Sequence, residues 1–259
     1  MPSKLQEWLD IPPGTILQHL PTGSWGSLSE EESYILLHTL VVATGTWTLL
    51  FLTLRLSILS RVSFDFCNRA VSQVHVVIAL ALATRALNWS DPLGNFGGRN
   101  TLPQVQAMVI SLSYFLYDFV CCLFDVTFDW ANAFHHIFSI AGFAFGLISG
   151  RCGEELMACL WLVELSNPFM HAREMLRELD APKSALTFAV DLAFLISFTI
   201  ARMVVGPVVT WNTVIGTSPT AVKVGAVAIQ ASRADGRCCH QEEERRLGFA
   251  SYSNASIHA

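Results

Sequence analysis

The sequence predicts an all-α, polytopic integral membrane protein, a helical bundle with six to seven transmembrane helices. Three observations lead there. Of the 259 residues 52% are hydrophobic and only 14% charged, well below the charge of an ordinary soluble domain. Mean hydropathy is +0.45. The apolar residues fall into blocks of the length, roughly 20 residues, that a helix needs to cross a bilayer. Loops between the blocks are short, so neighbouring helices are expected to run antiparallel.

Residues 1–33 are polar and rich in Pro, Gly and Ser. They read as a flexible leader without the charged-then-apolar pattern of a cleaved signal. Spans are expected near 34–59, 69–89, 104–124, 133–150, 155–178 and 184–212. In the fifth, Pro168 lacks an N–H, so the Glu164 carbonyl loses its helical partner and a kink is expected. Its second half, "HAREMLRELDAPK", is charged and should leave the bilayer as an amphipathic end. The segment "TSPTAVKVGAVAIQAS" starts like a seventh span but holds only about 15 moderately apolar residues, short of a full crossing. The membrane domain therefore runs over 34–231, and 232–259 forms a disordered polar tail.

Arg55, Arg61 and Arg69 flank the first loop, and Arg173, Arg177 and Lys183 the fifth. Basic residues mark the cytosolic side, which leaves the N-terminus luminal. No basic tract suggests nucleic acid. The seven cysteines show no zinc-finger spacing and read as packing residues.

Ionisable groups at membrane depth are costly and often functional. Asp118, His135, His136, Glu164, Asp191 and Arg202 lie inside expected spans, with His75 and Arg85 in the second. They either fix the bundle through hydrogen bonds or line an inward polar cavity. In the fourth span Ser139, Gly142, Gly146 and Ser149 all fall within about 40° of His135 on a helix turning about 100° per residue. This small-residue stripe permits close backbone approach or leaves a narrow slot. His136 lies above Ile140, Phe143 and Leu147. Adjacent residues do not share a face, so the two histidines cannot chelate one ion side by side, and no metal or cofactor is expected. In the fifth span Glu164, Asn167 and His171 share a face. The candidate lipid-binding set is Asp118, His135, His136, Ser139, Glu164, Asn167 and Asp191, with His135 and His136 the candidates for any catalysis. His135 is expected to contact the cavity and His136 to supply a supporting hydrogen bond.

"SYFLYDFV", "NAFHHIFSI", "LWLVELSNPFMHAREMLRE" and "VDLAFLISFTIARMVVG", in that order, resemble the TLC-domain proteins, which include ceramide synthases and translocation-associated membrane proteins. The resemblance implies about seven helices around a lipid-accessible cavity, usually in the endoplasmic reticulum. It maps the histidine pair of the ceramide synthase active site onto His135 and His136. The HDxxDxxLE-type aspartates of those enzymes are absent, and "VELSNPFMHARE" stands in their place. The expected role is lipid binding or sensing in membrane lipid homeostasis, with membrane lipids as partners. The alternatives are a lipid N- or O-acyltransferase, or an accessory of membrane trafficking or translocation.

The tail carries a sequon, Asn254-Ala255-Ser256. A seventh crossing makes it cytosolic; six spans make it luminal. The basic tail favours the cytosol, so glycosidase treatment should leave the protein's mobility unchanged. A shift that vanishes in Asn254→Gln would put the tail in the lumen.

Overall fold

The computed structural model describes residues 16–124, 130–181 and 184–234. The first fifteen leader residues, Lys183, Cys238, Cys239 and the tail sequon lie outside them. Helix α1 is Glu30–Thr53. It starts where a capping box forms: Ser29 Oγ accepts from Glu32 N–H (3.2 Å) and the Glu32 carboxylate from Ser29 N–H (2.8 Å). Glu30, Glu31 and Glu32 in its first turn suit the positive end of the helix dipole. The helix runs on through a π turn, Leu54–Ile58. Ser63 caps α2, Phe64–Ala86. Helices α3, Leu102–Phe124, and α4, Trp130–Ser149, follow.

The fifth expected span is two helices, α5 (Gly153–Glu164) and α6 (Asn167–Glu178), separated at Leu165 and Ser166. The break falls where Pro168 denies the Glu164 carbonyl its N–H partner. Each half is 12 residues, about 18 Å at 1.5 Å per residue, so neither alone spans a hydrocarbon core of about 30 Å. The sixth is interrupted too. Helix α7, Ala185–Phe198, passes into a π stretch, Thr199–Val205, and then α8, Gly206–Ile215. Here Gly206 N–H reaches five residues back to the Ala201 carbonyl, and Pro207 follows at once. Helix α9, Thr220–Ala234, closes the described chain.

Among the described residues four helical segments are long and apolar enough to cross a membrane: Glu30–Ser57, Phe64–Ala86, Leu102–Phe124 and Ala185–Ile215. Ala133–Ser149 and Thr220–Ala231 are shorter apolar helices. The all-α membrane bundle is thus present. Helix α3 is its axis, packing against α1, α2, α4 and α5. Val105, Met108, Val109 and Ser111 on it are all but inaccessible. The α7–α8 arm lies at the periphery, with Leu186, Phe188, Leu195, Val204 and Trp211 exposed. In a bilayer that is a lipid-facing surface.

One end of the bundle is sealed by two buried glutamates at the start of α5. Glu154 accepts from Asn88 N–H (2.9 Å) and from the Gln104 amide (2.8 Å). Glu155 accepts from Gly97 N–H (2.9 Å) and Ser218 Oγ (2.7 Å). The loops before α3 and α9 are thereby tied to the start of α5. Burial pushes the Cys152 thiol up to about 12, which keeps it protonated and inert, as a packing cysteine should be. At the other end Glu178 accepts from both Ser63 N–H (2.9 Å) and Ser63 Oγ (2.7 Å). The leader differs from the expectation over its described part. Leu20 is buried, and Leu17 O accepts from the Gln106 amide (2.8 Å). Its scattered leucines find apolar surface at the bundle end.

Gly97 has φ +77°, and a Cβ there would lie 2.7 Å from the Thr217 carbonyl carbon. Gly97→Ala should therefore cost about 1–3 kcal/mol through strain and displacement of that loop. A Cβ at Gly45, within α1, would meet nothing within 4 Å, and Gly45→Ala should stabilise by about 0.5–1 kcal/mol. Thermal unfolding in detergent should shift in opposite directions for the two variants.

Candidate functional site

A carboxylate at membrane depth requires partners from the protein itself, and Asp118 collects them from three helices. From α2 the Asn68 amide donates to Asp118 Oδ1 (2.6 Å). The Tyr114 hydroxyl, one turn back on α3, donates to Oδ2 (3.1 Å) and also meets Ser72 Oγ (2.8 Å). Tyr117 O–H donates to Asn68 Oδ1 (2.7 Å), which orients that amide. From α4, His136 Nε2 comes within 3.4 Å of Asp118 Oδ2. His136 is 4% exposed, and its Nδ1 has no hydrogen-bond partner among the described residues. Beneath this group His75 stacks on the Tyr114 ring, 3.7 Å between centroids at 7°, with Trp47 edge-on. Neither His75 nitrogen has a partner among the described residues.

A second polar group forms at the α5–α6 break. Asn167 Nδ2 donates to Glu164 Oε2 (3.0 Å). Arg202, from the π stretch, donates to Asn167 Oδ1 and to the Val163 carbonyl (both 3.0 Å). Gln230 on α9 donates to the Arg202 carbonyl (3.2 Å), and Gln73 on α2 to the Pro168 carbonyl (2.9 Å). The π stretch thus caps the break through Arg202, and its own Arg202 carbonyl is taken by α9. Asn167 is the relay between a buried carboxylate and a guanidinium.

Between the two groups lies a narrow slot of about 50 Å³. Phe115, Phe138, Phe143, Leu160 and Val163 form its apolar walls, and His135, Ser139 and Cys159 also line it. The glycine stripe of α4 does both of the things its spacing permits. A Cβ at Gly146 would come within 2.5 Å of Leu156 and 2.9 Å of Met108, so Gly146 serves close packing. At Gly142 the nearest atom would be 3.7 Å away, and this position lines the slot. Ser139 Oγ donates back to the His135 carbonyl (2.8 Å).

Of the residues named from sequence, the structure brings Asp118 and His136 into contact, sets His135 and Ser139 on the slot, and couples Glu164 to Asn167. It does not bring Asp191 to them. Asp191 is exposed on α7, whose register turns it outward. Sequence reasoning missed Asn68, Ser72, Tyr114 and Tyr117. The tyrosines carry a signal, since they flank Asp118 in "SYFLYDF" at i−4 and i−1. Asn68 carries none, because its partner is 50 residues away.

Residues 65–232, more than half of the chain, match the TLC domain. The match runs from the start of α2 into α9 and includes every polar group just described. No solved structure matches the chain.

Removing the relay should uncouple Glu164 from Arg202. Asn167→Ala is expected to cost about 1–2 kcal/mol, the upper range for one interhelical bond inside a membrane. Asn167→Asp, which keeps the acceptor for Arg202 but adds a charge beside Glu164, should cost more. Unfolding midpoints in detergent read both.

Proposed function

The chain belongs to the TLC-domain family, and from that premise we propose that it binds or senses a membrane lipid in the slot between α3, α4 and α5. TLC domains occur in membrane proteins linked to lipid metabolism and homeostasis. The observation that carries the reading is the slot's asymmetry. Its walls are aromatic and aliphatic, and one imidazole, His135, stands on them. A lipid chain gains from the walls, and a neutral imidazole donates or accepts one hydrogen bond to a polar group. The volume suits part of one chain and not a whole lipid. A larger recess of about 300 Å³ between α1, α3 and α4 is lined by Trp25, Leu36, Leu112 and other apolar side chains. Apart from the Trp25 indole its lining is apolar, so it fits an ordinary lipid-facing recess. The motif order is similar to that of TLC domain-containing protein 5, also called transmembrane protein 136, and the expected location is the endoplasmic reticulum.

A second reading, lipid N- or O-acyl transfer, draws on the contact between Asp118 and His136. A carboxylate against one imidazole nitrogen leaves the other to act as a base, and the Nδ1 of His136 has no partner among the described residues. The missing aspartate pattern counts against it. Turnover of acyl-CoA by purified protein separates the readings, since binding alone predicts none.

Mass spectrometry of the purified chain should find a co-purifying lipid. Gly142→Leu, which fills the slot, should remove most of it while the protein still expresses. His135→Ala should lose lipid, and His136→Ala less. Equal lipid in wild type and Gly142→Leu would show that the slot is not the site.

A further inference from the structure

We propose that Asp118, Cys122 and His136 form a zinc-binding site where α3 and α4 face each other. Asp118 and Cys122 are one turn apart on α3, so carboxylate and thiol share a face. His136 approaches from α4. One donor atom from each of the three lies within 4.8 Å of the other two. Around a tetrahedral zinc ion, bonds of about 2.0–2.3 Å put neighbouring donors about 3.3–3.6 Å apart. His136 Nε2 and Asp118 Oδ2 already stand at 3.4 Å. Cys122 then has to close by no more than about 1.5 Å, within reach of a small torsion of its side chain.

The donor set selects the metal class. A thiolate, an imidazole and a carboxylate suit zinc, whereas calcium and magnesium take oxygen ligands. The surroundings resemble the outer shell of a metal centre, where ligating carboxylates are themselves hydrogen-bonded. Asn68 and Tyr114 hold both oxygens of Asp118 in place. Charge balance points the same way. Zinc binding displaces the thiol proton to solvent, and one Zn²⁺ with one thiolate, one carboxylate and a neutral imidazole is neutral overall. That removes the cost of a lone carboxylate at membrane depth. Three protein ligands leave a fourth position for water or another small donor. None of the three residues lines the lipid slot, although Asp118 and His136 also carry the acyl-transfer reading.

The test uses the full chain in detergent, stripped with a chelator and then titrated with cobalt(II) as a spectroscopic stand-in for zinc. One ion per chain should bind, with a sulfur-to-cobalt charge-transfer band in the near ultraviolet. Cys122→Ser should abolish that band and weaken binding at least about tenfold. His136→Gln should weaken binding similarly. Cys159→Ser, whose thiol lines the slot instead, should retain both band and affinity. Cys122→Ser replaces one atom of a side chain that is not fully buried, so it carries the test even if His136→Gln fails to fold. It should also keep its bound lipid while losing the metal. Absence of saturable cobalt binding by wild type, or an undiminished band in Cys122→Ser, would overturn the proposal.

Discussion

Asp118 is a carboxylate held 8% exposed on the most enclosed helix of a membrane bundle, and the arrangement of α2, α3 and α4 follows from what such a group requires. In hydrocarbon no water completes its hydrogen bonds. Each oxygen must find a donor within the protein. Asn68 and Tyr114 supply them, and His136 is drawn to 3.4 Å. These contacts specify register as well as proximity. Sliding α2 by one turn along α3 would move Asn68 about 5.4 Å and leave the carboxylate unpaired. Apolar packing alone penalises such a slip weakly, since in lipid a leucine has equally good neighbours elsewhere.

The same constraint shapes the second polar group differently. Pro168 and Pro207 each remove an N–H from a helix that would otherwise satisfy its own backbone. The α5–α6 break and the π stretch before α8 are then placed together. Arg202 caps the Val163 carbonyl and reaches Asn167, which holds Glu164. Irregular backbone is tolerated at membrane depth only where protein or a cavity receives it. Here Arg202 of the π stretch receives the break, and Gln230 of α9 receives the π stretch. The slot lies beside both groups because aromatic residues and small residues of α3 and α4 leave space that the polar groups do not fill.

The ends of the bundle obey soluble rules instead. Glu154 and Glu155 tie two loops to the start of α5, and Glu178 ties α6 to the cap of α2. Carboxylates that accept backbone N–H bonds fix loops without needing long connections. The two ends hold the helices in order, and the interior groups set their depth relative to one another.

The sequence by itself determined the all-α membrane class, because a block of about 20 apolar residues has no other stable use. It also determined the break at Glu164, since Pro168 acts on backbone four residues away, and the stripe on α4, since periodicity is a local property. It separated His135 from His136 for the same reason: neighbours on a helix point about 100° apart. Periodicity tells which side chains share a face but not what that face meets. The pairing of Asp118 with Asn68, the coupling of Arg202 to Asn167, the outward turn of Asp191 and the approach of Cys122 to His136 were therefore decided only in the tertiary structure. Each depends on the rotation and depth of a second helix, which are set by packing between residues far apart in the chain.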